Sequence, residues 1–209
     1  TAVGPLLPGH GTTWQDMARC KWQEWAAAVE RAYQDLKHRC RKVFVCGGSM
    51  GGLLALYLAE RHPEIAGIVP MAPALYTVDW RVNLTWLAKY FVRFHPYDPV
   101  RDGDDLTDPQ ARERYIWSYS GTPVAAADQL NRLRNAVRRD LRRIALPALI
   151  WQGTYDQVVK LESAVYCFSK IASQDKELIW LTHSGHCLWV DSEKAEVWKR
   201  THEFIAARS

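Results

Sequence analysis

Residues 43–62 read VFVCGGSMGGLLALYLAERH. A short apolar run at 43–46 leads into Gly47-Gly48-Ser49-Met50-Gly51, and a helical pattern from Met50 to Arg61 follows at once, stopping before Pro63. The five residues fit G-x-S-x-G, in which a serine is held on a sharp strand-to-helix turn. Such a turn strains the serine backbone, so the residues two before and two after it must be small. The turn lifts Oγ above the sheet and sets the next N–H, that of Met50, at a helix N-terminus, where it can stabilise a developing oxyanion. The alternative is a glycine-rich turn with an incidental serine; the flanking strand and helix argue against it. A phosphate-binding loop does not fit, because no Lys-Ser/Thr follows the glycines.

A serine hydroxyl is a weak nucleophile until a histidine takes its proton and a carboxylate orients that histidine. On this kind of turn the chain order is Ser, then Asp or Glu, then His, each on a loop after a strand. Asp156, in ALIWQGTYDQVV, follows an apolar strand by a few residues; its other reading is a helix N-cap. His186, in LIWLTHSGHCLWVD, lies after Gly185 in the last loop before the terminal helix. His183 is the rival but sits where the strand ends. His183, His186 and Cys187 could also be read as metal ligands, yet zinc needs more partners and no companion Cys/His cluster exists elsewhere in the sequence. The remaining histidines fit worse: His38 and His62 end helices, His95 lies in an insertion, His202 in the last helix, and His10 precedes the serine. The candidates are therefore Ser49, Asp156 and His186, with the Met50 N–H as oxyanion donor. No metal and no organic cofactor is implied.

These residues need a frame. Trp22, Trp25, Ala26, Val29, Ala32, Tyr33 and Leu36 recur at helical spacing and predict a helix over 21–39. Apolar strands are expected at 43–46, 65–73, 148–153 and 178–183, and helices at about 161–172 and 192–207. Continuous apolar strands alternating with helices predict an α/β fold: a mostly parallel sheet with helices on both faces. Residues 77–145 break the rhythm, showing no clear strand, several helical patterns and the polar turn cluster HPYDPVRDGDDLTDPQ. They read as a helical insertion, leaving 1–76 and 146–209 as the core. Within it, RLRNAVRRDLRRI at 132–144 puts Leu133, Val137, Leu141 and Ile144 on one face and predicts a solvated amphipathic helix.

Composition narrows the function classes. The chain has 209 residues, 48% hydrophobic and 24% charged, with net charge +4. That is ordinary globular composition, enough for one core and one domain. The basic residues are dispersed, which excludes a nucleic-acid face. No run approaches the roughly 18 apolar residues of a membrane span, so stable membrane insertion is not expected. The five cysteines, Cys20, Cys40, Cys46, Cys167 and Cys187, are odd in number and lack C-x-x-C spacing. With no signal peptide opening the sequence, they predict reduced thiols and a cytoplasmic setting.

LLPGHGTTWQDM, GGSMGG, MAPALY, QGTYDQVV and SGHCLWVD together resemble the α/β-hydrolase superfamily, and within it the bacterial carboxylesterases and monoacylglycerol lipases with a small helical cap. The resemblance implies an ester hydrolase with a catalytic triad: Ser49 as nucleophile, Asp156 as orienting acid and His186 as general base. It implies that 77–145 is a cap over an apolar acyl pocket, with Trp80, Trp86, Tyr90 and Phe91 as candidate lining residues. The substrate would be a small-molecule ester with an apolar, short- to medium-chain acyl group. A thioesterase, a carbon–carbon bond hydrolase or a non-catalytic scaffold remain alternatives. Family members also carry earlier strands and a His-Gly loop that gives the second oxyanion N–H. LLPGHGTT matches a later Gly-His-Gly loop instead, so those N-terminal strands are expected to be missing from this chain. Their absence would open a slot in the sheet with unpaired backbone groups.

Overall fold

The computed structural model describes residues 1–96, 106–115 and 119–209, without the side chains of 112, 113 and 115. Four parallel strands form the main sheet: β1 (Phe44–Gly48), β2 (Gly67–Met71), β5 (Ala148–Gly153) and β6 (Lys176–Leu181), in the order β1-β2-β5-β6. Register is continuous, with Val45 opposite Ile68, Met71 opposite Trp151, and Gln152 opposite Trp180. Parallel strands need crossovers, which α3 (Met50–Ala59) supplies between β1 and β2 and α7 (Glu162–Lys170) between β5 and β6.

The apolar strands are continuous because both faces are covered. Ile68, Ala148 and Ile150 point into a core shared with α2 (Trp22–Arg39), α3, α7 and α6 (Val124–Asp140), which includes Trp25, Leu53, Leu56 and Leu133. Their neighbours Val69, Leu149 and Trp151 point the other way, against Val197 and Phe204 of α8 (Lys194–Ala206). Adjacent residues thus serve opposite faces, the period of two that a strand imposes.

Several elements differ from the sequence reading. A six-residue helix, α1 (Trp14–Arg19), precedes α2, capped by Thr13 Oγ1 accepting from the Asp16 N–H at 3.2 Å. The insertion holds a 3-10 turn (Trp80–Leu84), α4 (Thr85–Ala88) and α5 (Pro109–Tyr115), and it does contain strand: β3 (Phe94–Pro96) pairs antiparallel with β4 (Gly121–Pro123). Part of the polar cluster at 95–110, residues 97–105, lies outside the described residues. α6 is not solvated all round its polar arc, because Arg134 is 4% exposed. Leu133, Val137, Leu141 and Ile144 do share one buried face, which packs into the main core.

β1 has no strand on its outer side among the described residues. An apolar cleft of about 210 Å³ lies along it, walled by Val3, Leu7, Val29, Val45 and Leu54. Residues 1–7 belong to no strand.

Candidate active site

Ser49 stands between the last residue of β1 and the first of α3, with φ 54° and ψ −116°. A non-glycine residue in that region is strained and persists only when its surroundings fix it. Here the Ser49 N–H donates to the Met71 carbonyl at 2.9 Å, while the Ser49 carbonyl accepts from Leu53 at 3.2 Å and Ala74 at 3.3 Å. Gly47 is required: a Cβ there would lie 2.2 Å from the Gly51 carbonyl oxygen. Gly51 is not crowded in the same way, since a Cβ on it would meet nothing within 4 Å. Gly48, at the first variable position of the pattern, is crowded instead, since a Cβ on it would lie 2.2 Å from the Trp189 ring.

Asp156 follows β5 and is bound at both oxygens. Oδ1 accepts from the N–H groups of Val158 at 2.9 Å and Val159 at 2.8 Å, so the carboxylate closes the turn on which it sits. Oδ2 accepts from Gln152 Nε2 at 2.8 Å and lies 2.9 Å from His186 Nδ1. The helix-cap reading of Asp156 is set aside: α7 starts at Glu162, and its N-cap is Leu161. An ionised carboxylate only accepts, so Nδ1 of His186 is the donor and Nε2 keeps the lone pair a base needs. Asp156 and His186 are both buried. Trp189 stands edge-on to His186 with centroids 6.4 Å apart and also covers Gly48, so one indole borders both the serine turn and the histidine loop. Among the described residues, no hydrogen bond occupies Ser49 Oγ or His186 Nε2.

Asp191 anchors the histidine loop, and the sequence reading passed over it. It is fully buried; Oδ2 accepts from the Gly185 N–H at 2.7 Å, and Oδ1 accepts from Thr107, Asp108 and Ser192 N–H groups at 2.8–2.9 Å. Burial pushes its carboxyl upward, but the donors from Gly185, Thr107, Asp108 and Ser192 together outweigh it and hold the group below its ordinary range. The acid loop is anchored from the insertion side. Val78 N–H donates to the Val158 carbonyl at 2.9 Å, Lys160 N–H to the Tyr76 carbonyl at 2.9 Å, and the Ser163 hydroxyl bridges both backbone groups of Tyr76.

The rival His183 is exposed, with Nδ1 3.8 Å from Glu193. Among the described residues, no group of three or more His, Cys, Asp or Glu side chains is placed to hold a metal. Trp80, Trp86, Tyr90 and Phe91 are 57–80% exposed, in company with Leu84, Leu87 and Val92. They form an apolar surface along residues 80–92.

A family model described as serine aminopeptidase, S33, matches residues 7–193. A thermostable monoacylglycerol lipase from Bacillus sp. (strain H-257) is 39% identical, the match covering 99% of this chain and 79% of that protein. A carboxylesterase from Bacillus subtilis (strain 168) is 26% identical over 98% of this chain and 80% of its own length. Among solved structures, one reported for two metagenome-derived lipolytic enzymes superposes with a TM-score of 0.89 at 31% identity, covering 97% of this chain and 80% of that one. A monoacylglycerol lipase from Paleococcus ferrophilus, 22% identical with a TM-score of 0.75 over 91% of this chain and 77% of its own, shares the fold.

Proposed function

Because the chain belongs to the serine aminopeptidase S33 family of α/β-hydrolases, we propose that Ser49, His186 and Asp156 are its catalytic triad and that it cleaves esters of short- to medium-chain apolar acids. Relatives named monoacylglycerol lipase and carboxylesterase make it a serine-type carboxylic ester hydrolase. They do not favour a thioesterase, a carbon–carbon bond hydrolase or a scaffold. The observation that carries the site reading is the Asp156–His186 pair, 2.9 Å apart and buried, with the Trp189 ring bordering both His186 and the turn that holds Ser49 at positive φ.

In this reading, Ser49 Oγ attacks the ester carbonyl and its proton passes to His186 Nε2. The carbonyl electrons move to oxygen, which the Met50 N–H at the head of α3 stabilises. Collapse breaks the ester bond, and the alcohol leaves with the proton from His186. Water then attacks the acyl-enzyme, giving its proton to the same nitrogen, and the acid departs as Ser49 regains its hydrogen. Asp156 holds the imidazole tautomer throughout.

The insertion at 77–145 acts as the cap, and the exposed faces of Trp80, Trp86, Tyr90 and Phe91 are the surface that would receive the acyl chain. The free edge of β1 and its apolar cleft favour a further strand pairing there, and the second oxyanion donor would come with that added segment. No helix among the described residues is long and apolar enough to cross a membrane. Five cysteines, odd in number and without C-x-x-C spacing, support a reducing, cytoplasmic setting.

A fluorophosphonate probe tests the site. Labelling of the full-length protein that disappears in Ser49→Ala is the expected result, with turnover of p-nitrophenyl butyrate exceeding that of an acyl-CoA or an aminoacyl p-nitroanilide. Labelling that persists in Ser49→Ala would overturn the assignment of Ser49.

A further inference from the structure

Strand β5 reads ALIWQG, and every residue in it is buried. Gln152 is the polar exception, with no exposed surface, among Leu149, Ile150 and Trp151. An apolar side chain would suit that position if packing alone mattered. The amide is not there to complete a balanced polar network either, because its Oε1 is buried and has no hydrogen-bond partner among the described residues. What the side chain does is deliver Nε2 to Asp156 Oδ2 at 2.8 Å, with a weaker contact to the Gly153 carbonyl at 3.3 Å. The amide orientation follows from chemistry: turned over, Oε1 would face a carboxylate oxygen, acceptor against acceptor.

We infer that Gln152 is a positioning residue for the hydrolysis, acting through Asp156 by filling the second acceptor site of the same oxygen that holds His186. A carboxylate offers about four lone-pair sites. Val158 and Val159 take those of Oδ1, while Gln152 and His186 take those of Oδ2. With all of them occupied, the group has no freedom to rotate away from the imidazole or to accept a stray water. Gln152 also approaches from within the sheet, the most rigid element near the site, whereas the other donors ride on the acid loop and the histidine loop. The amide therefore fixes the position of Oδ2 relative to the strand frame, and with it the direction in which Nε2 points. This inference rests on the triad reading above.

Two variants test it. Gln152→Met keeps volume and neutrality but removes the donor. Its kcat on p-nitrophenyl butyrate should fall about 10- to 100-fold with KM nearly unchanged and no loss of Tm, because one buried orphan oxygen disappears along with the bond. Gln152→Glu is isosteric, and its new carboxyl can donate to Oδ2 only when protonated. Its activity relative to the parent protein should therefore recover as pH is lowered, whereas the ratio for Gln152→Met should stay flat. A Gln152→Met protein within twofold of the parent in kcat, or one whose kcat, KM and Tm deteriorate together, would overturn the proposal. Fluorophosphonate labelling of the parent protein is run alongside: its failure would remove the triad reading itself, while normal labelling with an indifferent Gln152 would remove only this inference.

Discussion

Asp156 and Glu60 are both carboxylates withdrawn from water, one at the rim where the strands end and one at the C-terminal end of α3. Asp156 receives hydrogen bonds from Val158, Val159, Gln152 and His186. Among the described residues Glu60 has one hydrogen-bond partner, Arg61 Nη1 at 3.1 Å from Oε2, while Oε1 is buried without any. Burial disfavours the charged form of Glu60. What separates them is the number of N–H groups the backbone aims at the anion. The fold supplies donors in abundance at the proposed proton relay and withholds them at the helix end. Asp191 belongs with Asp156, held by the loops it ties together.

The sharpest test of the rim is Asp156→Asn. If the amide oxygen stays with Val158 and Val159, its NH₂ faces Gln152 Nε2 and the His186 Nδ1–H, donor against donor. If the amide turns over, the clash moves to the backbone N–H groups. The two backbone N–H groups hold the oxygen on their side, so the first arrangement prevails, His186 is driven toward the tautomer that protonates Nε2, and kcat should fall about 10³- to 10⁴-fold. Retention of more than a tenth of the activity would mean that the four-donor arrangement is structural decoration.

Next in size is Asp191→Ala. It leaves the Gly185, Thr107, Asp108 and Ser192 N–H groups without their acceptor. A loss of about 3 kcal/mol is expected, roughly 5–10 °C in Tm, since buried donors left unpaired each cost on the order of 1–3 kcal/mol and the loop relaxes in part. Activity should drop about tenfold as His186 loses its anchor next door. The acid limb carries a further signature. Because the carboxyl of Asp191 is held below its ordinary 3.8, its contribution to stability is present above that value and is lost as pH falls through the folded value. Asp191→Asn should accordingly lose less stability than the parent on going from pH 5 to pH 3, measured by urea unfolding. Equal losses in the two proteins would remove Asp191 from the group of anion-stabilising sites.

The sequence shows this contrast only in part, for physical reasons. Ser49, Asp156 and His186 are legible because each sits where an apolar strand ends, and the strand pattern itself is strong: 148–153 is found at the residues expected. Gln152 and Asp191 are not legible as functional. One is a polar residue inside a strand, and the other depends on Thr107, 84 positions away along the chain. Trp189 is hidden for the same reason, since its effect on Gly48 exists only after the loops meet. α1 had a readable signal in Thr13 and Asp16, a side-chain cap three residues apart. β3 and β4 had none: three-residue strands are too short to show a period. Arg134 misleads because helical periodicity puts it on the polar arc, yet α6 is covered on that side by Thr77 and Asn83, which together with Asn131 of α6 itself take its guanidinium.

The smallest effect, and the one that isolates burial from chemistry, belongs to Glu60. Burial pushes its carboxyl up to about 8, against the opposing pull of the Arg61 hydrogen bond. With the folded value above the ordinary 4.5, the stability it contributes is fully present below pH 4.5 and is lost as pH rises through about 8. Glu60→Gln carries the neutral form at every pH, so it should match the parent at pH 4 and exceed it at pH 9 by about 2 kcal/mol, near 5 °C in Tm. The difference should grow steadily across the interval while ester turnover stays unchanged, because Glu60 lies at the far end of α3 from Ser49. A glutamine that destabilises equally at all pH values would show the Glu60–Arg61 contact to be a favourable ion pair. Glu60 would then join Asp156 as a supported anion, and the contrast between rim and helix end would vanish.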